Sequence, residues 1–421
     1  MGLVMYKKSI LVVSLFCLFL VFISCSEKSE YPTKDFAPSV SEGRELYKTI
    51  KVDLDNDGIE EYIVLTNYIE ESGEESLDFY QFDMLEIFTW SPKKNNYVSM
   101  FIDTLYFGIE CDIVSFPNNQ KMVVVNIYSG GEDTVLSGGM KLYSVKDKKV
   151  TVPFFDEVGS PSFVYQDNDS VPIIIVKGLV FFDITDREPI EYIHSIYTYS
   201  NGSYEVSNLK FKEQFLSENQ ELFVEYYKIL NGRGTNKKEI TDLFIRIVTN
   251  LITIYEDEET EKLFELEKKN IYDCDPDGYI EVVRYLYDNG FDYKSELDSL
   301  ASKTFFDAVK YKEQKKYLEA EKLFNKVLFI DYNFLDAYLE LGELKLMQDN
   351  YQAALSFYQQ VATFVSENKR LYLGLMKSYI GMKDYESAVS YGEKYLLLDS
   401  LSGDAQFVKD FLSKNSEFVS K

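Results

Sequence analysis

Nine consecutive residues, Asp53-Leu54-Asp55-Asn56-Asp57-Gly58-Ile59-Glu60-Glu61, set carboxylates at positions 1, 3, 5 and 9 of a run with glycine at position 6. Calcium takes several oxygens around one point, and alternate residues of a tight loop supply them where a glycine permits the bend. Without an ion, the same run is an acidic β-turn. A second stretch, Asp273 to Glu281, repeats the spacing but carries Pro276 inside the loop and Arg284 at position 12. Asp273, Asp275, Asp277 and Glu281 are weaker ligand candidates, because an acid ahead of Val282, Val283 and Leu286 serves equally well as a helix cap. Asp167-Asn168-Asp169-Ser170 is a shorter version of the first run without its glycine.

The residues just after the first run decide how it must fold. Val64 stands at position 12, where a helix-loop-helix calcium loop needs a bidentate glutamate, and the strand-like Tyr62 to Leu65 comes directly after Glu61. The loop therefore resembles the FG-GAP type found between strands of integrin-like repeats, in which position 9 replaces position 12. That resemblance implies Asp53, Asp55, Asp57, the Ile59 carbonyl and Glu61 as calcium ligands.

The N-terminus carries a different chemistry. Lys7 and Lys8 precede an apolar run from Ile10 to Leu20, continued by Val21, Phe22 and Ile23 ahead of Ser24-Cys25. This is the pattern of a secretory signal. Phe22-Ile23-Ser24-Cys25 resembles a lipobox, with Phe22 where leucine is usual. The resemblance implies that residues 1–24 are a signal peptide and that Cys25 receives palmitate-type acyl chains. The chain would then be exported and anchored to the lipid bilayer of a bacterial cell envelope. A plain signal anchor is the other reading of the same apolar run. Residues 25–42, with Ser26 to Glu30 polar and prolines at 32 and 38, read as a tether.

Composition narrows the remaining chemistry. Removing residues 1–24 takes away Lys7, Lys8 and no acid, so the formal charge goes from −26 to −28. So acidic a chain is a poor partner for nucleic acid. His194 is the single histidine, which excludes multi-histidine metal sites, and it lies in the strand-like Glu191 to Ile196. No acid pair stands out at a catalytic spacing among the 70 acidic residues. The chain reads as a binding protein rather than an enzyme. Cys111 and Cys274 allow one disulfide or two free thiols.

Near residue 210 the apolar period changes. Before it, β-branched and aromatic runs such as Met122 to Tyr128 and Ile173 to Phe182 alternate with turn residues. Three segments share an aromatic-Ser strand end, a short polar turn and a return strand: Phe88 to Tyr97, Lys141 to Val150, and Tyr197 to Tyr204. Residues 43–209 are expected to be a mainly antiparallel β domain, either a sandwich or propeller-like. After residue 210 the spacing is helical, as in Ile240, Leu243, Phe244, Ile247 and Val248. Residues 210–300 read as a helical linker domain. Asn231-Gly232-Arg233-Gly234 is a turn between two of its helices.

Residues 301–421 contain the strongest regularity. Tyr317, Tyr351 and Tyr385 are 34 apart, as are Ala320, Ala354 and Ala388, and the column Ala308, Gly342 and Met376 keeps the same spacing. With segments such as Asp384-Tyr385-Glu386-Ser387-Ala388, the stretch resembles the tetratricopeptide-repeat (TPR) family. The resemblance implies three helix pairs, an end helix from Gly403 to Phe418, and an all-α solenoid with a concave groove for other proteins or peptides. Phe305, Val309, Leu339, Glu343, Leu346, Leu373, Lys377 and Ile380 would line that groove. Phe305 and Val309 occupy the positions of the family's carboxylate clamp, so a clamp is not expected. The whole chain then reads as a multidomain, β-then-α, membrane-anchored adaptor for other envelope proteins. The alternative is an extracytoplasmic ligand or glycan receptor, or an enzyme, with its site in the β domain.

Overall fold

A computed structural model of the chain describes residues 31–68, 81–116, 119–128, 138–157, 159–166, 171–181, 188–232 and 238–415. The signal segment, Cys25, Asp167 to Ser170, Phe182, Gly234 and Phe418 lie outside these residues. The chain divides into two compact units. The first holds the strands together with residues 190–217 and 249–255, and the second holds residues 218–248 and 256–421.

In the first unit, seven strands succeed one another as a meander: β1 (Arg44–Val52), β2 (Glu61–Tyr68), β3 (Phe82–Ser91), β4 (Asn96–Ser115), β5 (Lys121–Tyr128), β6 (Gly138–Lys146) and β7 (Lys149–Asp156). A second, four-stranded sheet has the order β11 (Ser203–Val206), β10 (Ile190–Ser200), β9 (Ile173–Val180), β8 (Ser162–Val164). Every pairing among the described strands is antiparallel, and neither sheet closes into a barrel. Alternation explains the layering. Val123, Val125 and Ile127 of β5 join Ile63, Leu65 and Ile87 in one core, while Met122 and Val124 face the other way, onto Ile174, Val176 and Tyr204 of the second sheet. The result is a sandwich rather than propeller blades. The three look-alike segments are the hairpins β3–β4, β6–β7 and β10–β11. Asp147 and Lys148 (φ +50° and +58°) and Asn201 and Gly202 (φ +51° and +92°) form the two-residue turns with both residues left-handed that suit the twist of such ribbons.

The second unit is helical. Helices α1 (Lys212–Leu230) and α2 (Glu239–Thr253) straddle the two units. Next come α3 (Asp257–Cys274), α4 (Pro276–Asp288), α5 (Lys294–Glu313), α6 (Tyr317–Ile330), α7 (Leu335–Met347), α8 (Tyr351–Phe364), α9 (Lys369–Met382), α10 (Tyr385–Leu398) and α11 (Gly403–Lys414). The tyrosine column marks the first residues of α6, α8 and α10, and the buried alanines Ala320, Ala354 and Ala388 lie one turn later. Small residues at the crossings are needed because an aromatic ring occupies the space. A Cβ on Gly342 would lie 2.7 Å from the Tyr358 ring, and one on Gly374 would lie 2.2 Å from it. The C-terminal region is thus a TPR-like array of helix pairs, α5–α6, α7–α8 and α9–α10, closed by α11. Among the described residues no helix is long and apolar enough to cross a membrane.

Candidate functional site

The first acidic loop joins β1 to β2, whose register pairs Val52 with Glu61. Leu54 and Ile59 are buried on the protein side, which turns the residues between them outward. Asn56 (φ +58°) and Gly58 (φ +83°) supply the left-handed bends. Within the loop, Asp53 Oδ2 accepts from the Gly58 amide at 3.1 Å, Asp55 Oδ1 from Asp57 at 3.3 Å, and Asp57 Oδ1 from Ile59 at 2.8 Å. Two bonds from the turn between β4 and β5 pin it: Lys121 Nζ donates to the Asp53 carbonyl and Asn56 Nδ2 to the Asn119 carbonyl, both at 2.8 Å.

Oxygen atoms of Asp53, Asp55 and Glu61 come within 4.8 Å of one another. Glu61 is 0% exposed and accepts from the Leu54 amide and the Thr89 hydroxyl, each at 3.0 Å. Burial, reinforced by Asp55 and Asp57, pushes its carboxyl up to about 7. Burial, together with the neighbouring Asp57 charge, also raises Asp55. Asp53 Oδ1 is buried without a hydrogen-bond partner. An acceptor with no donor beside two acids is what a hard cation would complete, so these side chains fit calcium. Asp57 is exposed and stands outside the close group, and Ile59 contributes a buried side chain to a cluster with Trp90 and Tyr97.

The second acidic stretch is built differently. Asp275 is the single residue between α3 and α4, 3% exposed, and caps α4 by accepting from the Gly278 amide at 3.1 Å and the Thr241 hydroxyl at 2.6 Å. Pro276 fits the first helical position, where no amide donor is needed. Asp273 pairs with Lys269 on α3, Asp277 with Lys326, and Glu281 is buried in α4. Helix geometry separates the four carboxylates, and no metal-type group forms here among the described residues. This stretch caps a helix.

The expected groove residues divide between packing and charge. Leu339, 2% exposed, belongs to the core between α7, α8 and α9 rather than to a surface, and Leu346 packs against that core. Phe305 packs on Phe324 and Phe334 with centroids 5.6 and 5.0 Å apart. Leu373 and Ile380 lean on the cluster shared with α11. Val309 is half-buried, and Lys377 lies 3.6 Å from Asp404. Glu343 belongs to a network that the apolar pattern did not reveal. Lys312 of α5 donates to Glu340 and Glu343 of α7 at 2.5 and 2.7 Å, and Arg370 of α9 reaches Glu340, Glu343 and Asp336 at 2.6, 2.8 and 3.3 Å. Burial alone would raise Glu343, but its bonds to Lys312 and Arg370 hold it below the usual carboxylate range. The first helices of successive pairs are thereby tied together along one face.

Of the other chemistry-bearing residues, Ser195 and Cys111 are buried. His194 is exposed on β10 and bonds to Ser195 Oγ at 2.8 Å, but Ser195 is itself buried and out of reach as a nucleophile. Cys111 and Cys274 are free, and burial pushes the Cys111 thiol up to about 12, far from a reactive thiolate.

No protein-family model and no curated protein matches the chain. Solved structures with some likeness include the Arabidopsis OM64 TPR domain, 14% identical, covering 27% of this chain and 95% of that one at a TM-score of 0.26. PcrH in complex with the chaperone binding region of PopD is 16% identical over 29% of this chain and 91% of its own, with a TM-score of 0.26. Pseudomonas aeruginosa PilF is 18% identical over 48% and 95%, with a TM-score of 0.25. At such scores these likenesses carry no argument about function. The repeat architecture stands on the chain's own helix pairs.

Proposed function

We propose that the protein is an exported, lipid-anchored adaptor that holds other envelope proteins on the first-helix face of its repeat array. The observation that carries this reading is the network from Lys312 through Glu340 and Glu343 to Arg370, which fixes charged side chains on a face of α5, α7 and α9. Fixed charges lose little freedom on meeting a partner and favour one register over others. The lipid anchor rests on Lys7, Lys8 and the Phe22 to Cys25 motif. Calcium in the β1–β2 loop is the cofactor of this proposal. It would be held by Asp53, Asp55 and Glu61, with Asp57 and the Ile59 carbonyl as further donors, and would supply the positive charge that their mutual repulsion calls for.

A photoreactive residue placed at Asp336, whose side chain is 62% exposed at the edge of the charged network, should crosslink in intact cells to a defined protein. The same residue at Leu318, 66% exposed on a second helix, should not. Equal or absent crosslinking at both positions would remove the adaptor reading. A second reading, a ligand or glycan receptor, has one feature of its own: an opening of about 420 Å³ in the β unit, where Lys141, anchored by Asp103 at 2.7 Å, lies over the half-exposed Phe155 ring. Glycan recovered in place of protein would favour it.

A further inference from the structure

The cleft formed where α3 and α4 meet α5 and α6 has a charge opposite to that of the chain. It measures about 570 Å³, within the range of ligand sites, and its lining includes Lys303, Lys310, Lys316 and Lys326 against one acid, Asp307. The whole chain carries −26. Lys310 is paired with Asp307 at 2.8 Å and Lys326 with Asp277. Lys303 and Lys316 meet aromatic groups instead. Lys303 donates to the Tyr272 hydroxyl at 3.1 Å, and Lys316 stands 5.4 Å from the Tyr311 ring centroid. A cation over a ring is held in place with its charge still available. Pro276, Ile280, Leu300 and Leu323 add an apolar floor.

Lys303, Asp307 and Lys310 recur at spacings of four and three, so they share one side of α5, with Gln314 at its C-cap. Phe305, Val309 and Lys312 lie on the opposite side by the same count. Lys303 and Lys310 are two turns apart, roughly 10 Å along the axis, between the ~7 and ~13 Å that separate acids two and four residues apart in an extended chain and within reach of flexible lysine side chains. One phosphate group cannot meet both. An extended peptide whose acids alternate with apolar side chains turns the acids of one side to the lysines of α5 and the apolar side chains of the other to Pro276, Ile280 and Leu323 of α4 and α6.

We propose that this cleft binds an extended acidic segment of a partner protein, carboxylates alternating with apolar side chains. This names a partner chemistry for the array and rests on its reading as a protein-binding module, but on the side of α5 facing away from the charged first-helix network. Attraction to a local positive cleft in a negative protein also selects where on the surface such a segment can settle.

The test is fluorescence anisotropy with the full-length protein in detergent and a labelled eight-residue peptide of alternating Asp and Leu, blocked at both ends. Saturable binding is expected, weakened about tenfold or more by Lys303→Glu with Lys316→Glu, by an Asn-for-Asp peptide, and by raising salt from about 0.05 to about 0.5 M. Both lysines are exposed, so the melting temperature of the double variant should match the wild type. Equal binding of the Asp and Asn peptides, or an unaffected double variant, overturns the proposal. Complete displacement by millimolar inorganic phosphate also overturns it, marking a simple anion site. If the peptide fails while crosslinking at position 336 persists, the cleft proposal falls and the adaptor reading stands. Loss of crosslinking with peptide binding intact removes the first-helix reading and leaves the cleft as the protein-binding surface.

Discussion

The two acidic loops share a spacing of carboxylates and a glycine at the sixth position, yet only one gathers its acids. After Glu61 the chain runs on as a strand, so the first loop is stretched across a hairpin and Asp53, Asp55 and Glu61 converge. After Asp275 the chain enters a helix at once, so Asp277 and Glu281 are carried around α4 while Asp275 turns back to its first amides. The glycines differ in the same way. Gly58 has open space where a Cβ would go but a φ of +83°, whereas a Cβ on Gly278 would sit 2.0 Å from Asp275 Oδ2 and 2.1 Å from the Thr241 hydroxyl. One glycine is needed for its conformation and the other for its size. Ligand spacing therefore becomes a site only through the backbone that comes after it.

The contrast can be broken most forcefully at Asp275. Asp275→Ala removes the cap of α4 and strands the buried Thr241 hydroxyl, and should destabilise the protein by about 2–4 kcal/mol whether or not calcium is present. Thermal melts with calcium and with chelator read this directly, and a loss seen only with calcium would return the second loop to the ion sites. The glycines sharpen the comparison next. Gly278→Ala should cost about 1–3 kcal/mol by overpacking, and Gly58→Ala about 1 kcal/mol by left-handed strain. Urea unfolding of the two variants checks the order, and a larger loss at Gly58 would mean that the loop is more tightly held than its open surroundings imply. The smallest effect belongs to Asp57→Ala without calcium, about 0.5 kcal/mol or less, because its side chain is exposed and holds one loop amide.

Much of this arrangement is legible in the residues themselves. The 34-residue columns locate the second helices because Tyr and Ala at those positions answer to one helix crossing repeated three times. The three hairpins are legible because Asn, Gly and aromatic-Ser pairs mark their ends. How seven strands divide from four is not, since sheet pairing depends on long-range burial on both faces of β5. Left-handed residues close the first helices at Lys315, Asp349 and Lys383, again 34 apart, but none is glycine, the residue by which such caps are usually recognised. The network at Glu343 and the lysine cleft also escape pattern reading, because their members come from three helices and two helix pairs and meet only in space. Leu339 shows the reverse error. An apolar residue on a first helix is expected in a groove, yet close packing around Tyr358 draws it into the core.

Titration of calcium into the chelator-treated full-length protein, monitored by calorimetry, tests the contrast between the loops most directly. One site per chain is expected, lost in Asp53→Asn with Asp55→Asn and kept in Asp275→Ala. Heat that persists unchanged in the double variant, or no heat in the wild type, would contradict it.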